Sequence, residues 1–163
     1  MVSLYTFFTP SHQILFDDWL KPTATSCGVE VFTRTYSTQF CSSASYAAHG
    51  WRETQIKKLS NWISVLKSRP SEDTIVGSDA DVQIIRPCAK QLIEFLGSKD
   101  LSFQENVDGK VCSGFFVARC NDKVVDFFTR ALKSLTAELI KSSKGGGEQY
   151  EIWKLIESGN HHA

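Results

Sequence analysis

Asp79 and Asp81 stand one residue apart in "TIVGSDADVQIIRP", residues 74–87, at the end of a β-rich apolar run. In an extended segment residues i and i+2 face the same side, so the two carboxylates point into one small volume while Ala80 turns away. A core gains nothing from that repulsion, and a divalent cation relieves it. Hard cations such as Mg²⁺ or Mn²⁺ take carboxylate oxygens and complete their shell with water and substrate phosphates. In open α/β sheets ligands sit beyond the carboxyl ends of the strands, which is where this run delivers the pair. The chemistry to expect is the gripping of a metal-bound diphosphate. A solvated turn is the competing reading of D-x-D. Context favours the metal, because an apolar run precedes the pair, another follows it, and a β-α-β-α half comes before both.

The elements that must position these carboxylates are readable from the hydrophobic pattern. "VSLYTFF" (2–8) is a first strand, and "SHQILFDDWL" (11–20) follows as a helix with Ser11 as N-cap and Ile14, Leu15 and Trp19 at helical spacing. "VEVFTRTY" (29–36) alternates as a strand, and 37–50 has no period and reads as a long loop. "WRETQIKKLSNWISVLKS" (51–68) places Ile56, Leu59, Trp62, Ile63 and Leu66 on one helical face and stops at Arg69-Pro70. After "TIVGS" the chain continues extended through "VQIIRP", and 88–97 forms a helix with Leu92, Ile93 and Leu96 inside. "LSFQEN" and "VCSGFFVARC" are strands joined across Asp108-Gly109, a dipeptide suited to a tight turn. A long helix at 121–141, capped by Asn121 or Asp122, ends before three glycines, and another helix begins after them. Strands alternating with helices imply one α/β domain over 1–163, a Rossmann-like, mainly parallel twisted sheet with helices on both faces, and a tail at 159–163.

Composition narrows the function. The chain has 163 residues, 42% hydrophobic and 22% charged, with eighteen basic residues balancing eighteen acidic ones. That size supports one core, and zero net charge lacks the basic footprint of a nucleic-acid binder. The apolar opening "MVSLYTFF" is cut short by Thr9 and Pro10, so no transmembrane segment is expected. Cys27, Cys41, Cys88, Cys112 and Cys120 are odd in number and scattered, which argues against a disulfide framework or zinc knuckle and for a reducing, cytoplasmic setting.

With those residues in place, the sequence resembles the GT-A glycosyltransferases, in particular the small nucleotide-diphospho-sugar transferases of bacteria, plants and large algal viruses. Three blocks carry the likeness. "IVGSDADVQII" is similar to the strand ending in the D-x-D motif, "VCSGFFVARCNDKVVDFF" to the N-S-G-F-F-x-x-R strand and its helix, and "GGGEQYEIWKLI" to the acidic-Gln pair that opens a late helix. With "WRETQIKKL" they span most of residues 1–158. The resemblance implies a nucleotide-diphosphate sugar donor, a UDP-sugar first among them, held through Mn²⁺ or Mg²⁺ on Asp79 and Asp81, and a glycan or glycoprotein acceptor. It also implies that Thr6, Phe7 and Thr9 receive base and ribose, that Arg52 and Lys57 lie near the diphosphate, and that Ser113 and Gly114 line the sugar pocket. Glu148 becomes the acid beside the sugar, as base toward the acceptor hydroxyl or as a positioning group, with Asp81 as the other catalytic carboxylate. Departures from the pattern are Cys112 where the family carries Asn, Glu148 in place of the more frequent Asp, and only His161 and His162 as late histidines. His12 and His49 show no partners in the sequence.

Two other readings stand beside this one. A haloacid-dehalogenase-like phosphohydrolase would use Asp79 as nucleophile and Asp81 as acid, although that motif belongs on a first strand and this one follows a complete β-α-β-α half. A non-catalytic binding module on the same fold is the other, because fold does not fix function.

Overall fold

The computed structural model describes residues 3–41, 49–141 and 146–159. Part of the loop expected over 37–50, and the expected tail with His161 and His162, lie outside those residues. Five strands form one sheet in the order β2-β1-β3-β5-β4: β1 (Ser3–Phe8), β2 (Glu30–Thr35), β3 (Thr74–Ser78), β4 (Leu101–Glu105) and β5 (Val111–Arg119). β1 pairs in parallel with both β2 and β3. β5 runs antiparallel to β3 and to β4. The α/β domain with a helical layer on each face is therefore as expected, while two of the four strand pairings are antiparallel. The reason lies in the connections, since β4 and β5 are joined by the tight Asp108-Gly109 turn and only crossovers as long as a helix can make parallel pairs.

The alternation of side chains along the strands divides the core in two. On one face Leu59, Trp62 and Leu66 of α3 (Trp51–Ser68) pack with Ile75, Phe116 and Ala118, with Val124, Phe127, Phe128, Ala131 and Leu135 of α5 (Asp122–Lys141), and with Ile152 of α6 (Glu148–Glu157). On the other, Leu4, Phe8, Val76 and Val117 meet the helical segment after β1 and Leu96 of α4 (Ala89–Leu96). Asn121 caps α5, its Oδ1 accepting from the Val124 amide at 3.1 Å.

Three local expectations change. The helical segment after β1 begins at Pro10, with Thr9 rather than Ser11 in the capping position, and runs through α1 (Gln13–Leu15) and a π turn (Phe16–Leu20) into α2 (Lys21–Ser26). Phe16, Leu20 and Ala24, four residues apart, face the sheet, whereas Ile14 is 64% and Trp19 43% exposed. Both sets satisfy a helical period, so periodicity alone did not choose between them. Beyond β3 the chain turns at 80–81 and then runs irregularly instead of extended. In α4 Leu96 is buried but Ile93 faces outward.

Gly77 sits opposite Phe116 in the β3–β5 ladder, and a Cβ there would stand 2.1 Å from the Phe116 ring. That ring is fully buried and meets Trp62 edge-on at 5.0 Å and Phe128 at 5.2 Å. Gly77→Ala should therefore overpack the core by about 1–3 kcal/mol. Thermal denaturation checks it, with a Tm lower by several degrees expected. An unchanged Tm would mean that Phe116 does not lie over Gly77.

Candidate functional site

From β1 the chain crosses one face of the sheet to β2, and from β2 it returns by α3 over the opposite face to β3, on the other side of β1. The order of strands thus reverses at β1, and a crevice opens beyond the carboxyl ends of β1 and β3. Asp79 follows β3 directly. Its amide donates to the Gly114 carbonyl at 2.8 Å, which ties it to β5. A Cβ at 114 would lie 2.9 Å from Asp79 Oδ2, so a larger residue there would push that carboxylate aside.

Three charged side chains from three elements meet here. Lys58 of α3 sends Nζ to Asp79 Oδ1 at 2.6 Å and to Glu148 Oε1, at the first residue of α6, at 2.9 Å. Glu148 Oε1 also accepts from Ser113 Oγ at 2.8 Å, and from the Gln55 amide at 2.8 Å with the nitrogen of that amide turned toward the carboxylate. Ser113 N donates to Gln149 Oε1 at 3.2 Å, so β5 and α6 are stitched together at the site. Lys58 is 13% exposed and Glu148 7%, while Asp79 keeps 39% of its side chain open.

Burial opposes the charge on Lys58, but the two carboxylates outweigh it and hold its pKa above the ordinary lysine value. For Asp79 the balance falls the other way. The surrounding protein pushes its pKa up, Lys58 pulls it down, and the nearby charges of Glu148 and Asp81 add to the upward push, leaving the carboxyl above its usual range. Asp79 is thus a carboxyl whose charged form its surroundings disfavour and Lys58 supports.

The crevice has two lobes that share Trp51, Gln55, Lys58 and Asp79. The smaller, about 140 Å³, lies over the end of β1 and includes Phe7, Thr9, His12, Gln39, Ala80 and Asp81. The larger, about 480 Å³, runs past Cys112, Ser113, Gly114, Glu148 and Gln149 toward the β4–β5 hairpin, a size typical of small-molecule sites.

Asp79, Asp81, Phe7, Thr9, Ser113, Gly114 and Glu148, all singled out from sequence, are brought together around this crevice. Thr6 is wholly buried beneath it and lines neither lobe, with its Oγ1 lacking a hydrogen-bond partner among the described residues. Arg52 and Lys57 line neither lobe either. Arg52 is buried with Nη1 donating to the Glu138 carbonyl at 3.5 Å, and Lys57 is exposed. The cation that bridges Asp79 and Glu148 is Lys58, next in sequence to the expected Lys57, and Gln55 joins it without having been expected. A signal was available, since Trp51, Gln55, Lys58 and Trp62 fall at i, i+4, i+7 and i+11 on one helical face.

Among the described residues no three His, Cys, Asp or Glu side chains group into a protein-built metal cage. The donor set fits a divalent ion in the more open way that Mg²⁺ or Mn²⁺ adopts, with one or two carboxylates and the remaining ligands from phosphate and water. Asp79 and Asp81 line the same lobe, and Asp81 is exposed there. With Oδ1 of Asp79 given to Lys58, Oδ2 and the Asp81 carboxylate are the oxygens left for an ion.

No family model matches the chain, and no curated protein matches it by sequence. Among the described residues no helix is long and apolar enough to cross a membrane. The crystal structure of a glycosyltransferase involved in the glycosylation of the major capsid of PBCV-1 is similar to this fold with a TM-score of 0.62 at 8% identity, over 95% of this chain and 75% of that one. At that identity the likeness is one of architecture: the chain has a fold shared with a glycosyltransferase.

Proposed function

We propose that the protein is a glycosyltransferase that takes a sugar from a nucleotide-diphosphate donor and passes it to a glycan or glycoprotein acceptor. What carries the reading is the meeting of Asp79, Lys58 and Glu148 where two cavities join at the strand-order reversal of a fold shared with a glycosyltransferase. The smaller lobe takes the nucleoside end, with Phe7 and Thr9 beside it, and UDP-sugars are the first donors to try. Asp79 and Asp81 are the residues that would hold Mn²⁺ or Mg²⁺. When bound, such an ion supplies Lewis-acid stabilisation of charge on the departing nucleoside diphosphate.

The chain's own groups do the rest. Lys58 sets a fixed ammonium at the junction of the lobes, where it faces the diphosphate. Glu148, held by Lys58, Ser113 and Gln55, is fixed in one orientation and so serves to position the hydroxyls of the donor sugar. Ser113 and Gly114 form the floor beneath that sugar, and the bare Gly114 backbone leaves room for the Asp79 carboxylate.

Thermal shift tests the proposal. A nucleotide-sugar with Mn²⁺ at about 100 times Kd should add about 2.7 kcal/mol of stability by mass action, a rise in Tm of about 5–11 °C for a chain of this size. The Asp79→Ala, Asp81→Ala double variant should lose that response. A double variant that responds as fully as the wild type would remove Asp79 and Asp81 from donor binding.

A further inference from the structure

The larger lobe is more than three times the volume of the smaller and does not end at Glu148. It continues to Tyr150 and Trp153 on α6 and to Asn106, Asp108 and Lys110 at the β4–β5 turn. We propose that this outer half is an acceptor subsite for a neutral pyranosyl glycan, with the Trp153 indole as its stacking platform. The proposal rests on the transferase reading only in calling the bound glycan an acceptor.

Five observations point to that ligand chemistry. Gln149 and Trp153 are four residues apart on α6, so the indole stands about 6 Å along the helix axis from the amide that Ser113 fixes. This spacing sets Trp153 one turn outward from the donor-sugar position. The indole face already attracts a positive group, since Lys110 Nζ lies 5.7 Å from the Trp153 ring centroid. The same negative ring face attracts the weakly positive C–H groups on the apolar side of a pyranose.

Lys110 is held there loosely. Its ion pair with Asp108, 3.0 Å long, has both partners more than half exposed, the weak kind that opens readily. Its head is thus available to turn from the ring to a sugar hydroxyl. Finally, the ionic groups of this half, Asp108 and Lys110, cancel, which suits an uncharged ligand better than a uronate or a sialylated one. The Asn106 side chain and the Gln149 amide nitrogen carry no hydrogen bond among the described residues, leaving donors and an acceptor for hydroxyls.

The test follows the indole N–H signals of the four tryptophans, Trp19, Trp51, Trp62 and Trp153, in the isotope-labelled 163-residue chain. Methyl glucopyranoside, galactopyranoside and mannopyranoside are titrated with and without UDP-glucose and Mn²⁺, and the donor-induced Tm rise is measured in the same samples. At least one glycoside should move the Trp153 signal saturably, and methyl glucuronide should bind more weakly. Trp153→Ala should weaken glycoside binding by about tenfold, the loss of a stacked ring, while Trp153→Phe, which keeps an aromatic face and fills the site, should retain most of it. If no glycoside shifts Trp153 although the donor raises Tm, the subsite is wrong and the transferase reading stands. If glycosides shift Trp153 but no nucleotide-sugar raises Tm, the subsite stands and the transferase reading falls. Tighter binding of the glucuronide would overturn the neutral class.

Discussion

Lys58→Ala is expected to be the most destabilising substitution at the site and to abolish donor turnover. Without the ammonium, Asp79 and Glu148 face each other with no shared cation, and removing one partner of a largely buried ionic group costs roughly 3–5 kcal/mol. Because Asp79 is 39% exposed, the low end of that range applies, a fall in Tm of about 6–12 °C. The pH dependence carries the diagnostic sign. In the wild type the Lys58 pKa is raised above 10.5, so its contribution is fully present below that value and is lost only in strong alkali. The Asp79 pKa is already raised in the folded protein, so ionising it costs stability as pH climbs through that value, and removing the opposing pull of Lys58 raises it further. The Tm gap between wild type and variant should thus narrow as the pH is lowered from neutral toward the ordinary carboxylate range. A gap that widens on acidification would mean that Lys58 does not hold down the Asp79 pKa.

Glu148→Gln should leave the fold intact and lower kcat for donor cleavage by about 100-fold or more, the scale of loss when a positioned group is displaced. The amide oxygen in the Oε1 place can still accept from Ser113 and Lys58, but the ammonium loses its anionic partner and the NH₂ in the Oε2 place meets the Gln55 amide, whose nitrogen must turn away. A positioning role predicts that the donor-induced rise in Tm survives while turnover is lost, and that Glu148→Asp, which keeps the charge on a shorter arm, falls between the two. Loss of donor binding together with turnover would instead make Glu148 a binding group.

The long elements were legible because their patterns were local. α3 begins at Trp51 and ends at Ser68 as the spacing of Leu59, Trp62 and Leu66 requires, and β3 closes where the apolar run meets Asp79. The hairpin followed from Asp108-Gly109, and Asn121 announced α5. What was not legible depended on which face of a helix the sheet would cover. In "QIKKLS" the two lysines are chemically equal, and only the docking of Trp62 against Phe116 turns Lys58 inward and Lys57 out. The same choice made Phe16 and Leu20 core while leaving Ile14 and Trp19 outside. Glu148 and Gln149 were recognisable as a pair by resemblance, but their bonds to Lys58 and Ser113 link residues 90 and 36 positions apart, respectively, which no local pattern contains.

The crevice around Asp79, Lys58 and Glu148 is expected to cleave a nucleotide-sugar. The most direct measurement is release of nucleoside diphosphate from a panel of UDP-, GDP- and dTDP-sugars with Mn²⁺, by wild type and by Asp79→Ala, with and without methyl hexopyranosides. Release from at least one donor is expected, faster with a glycoside present and absent in the variant. No release from any donor, or equal release by Asp79→Ala, would contradict it.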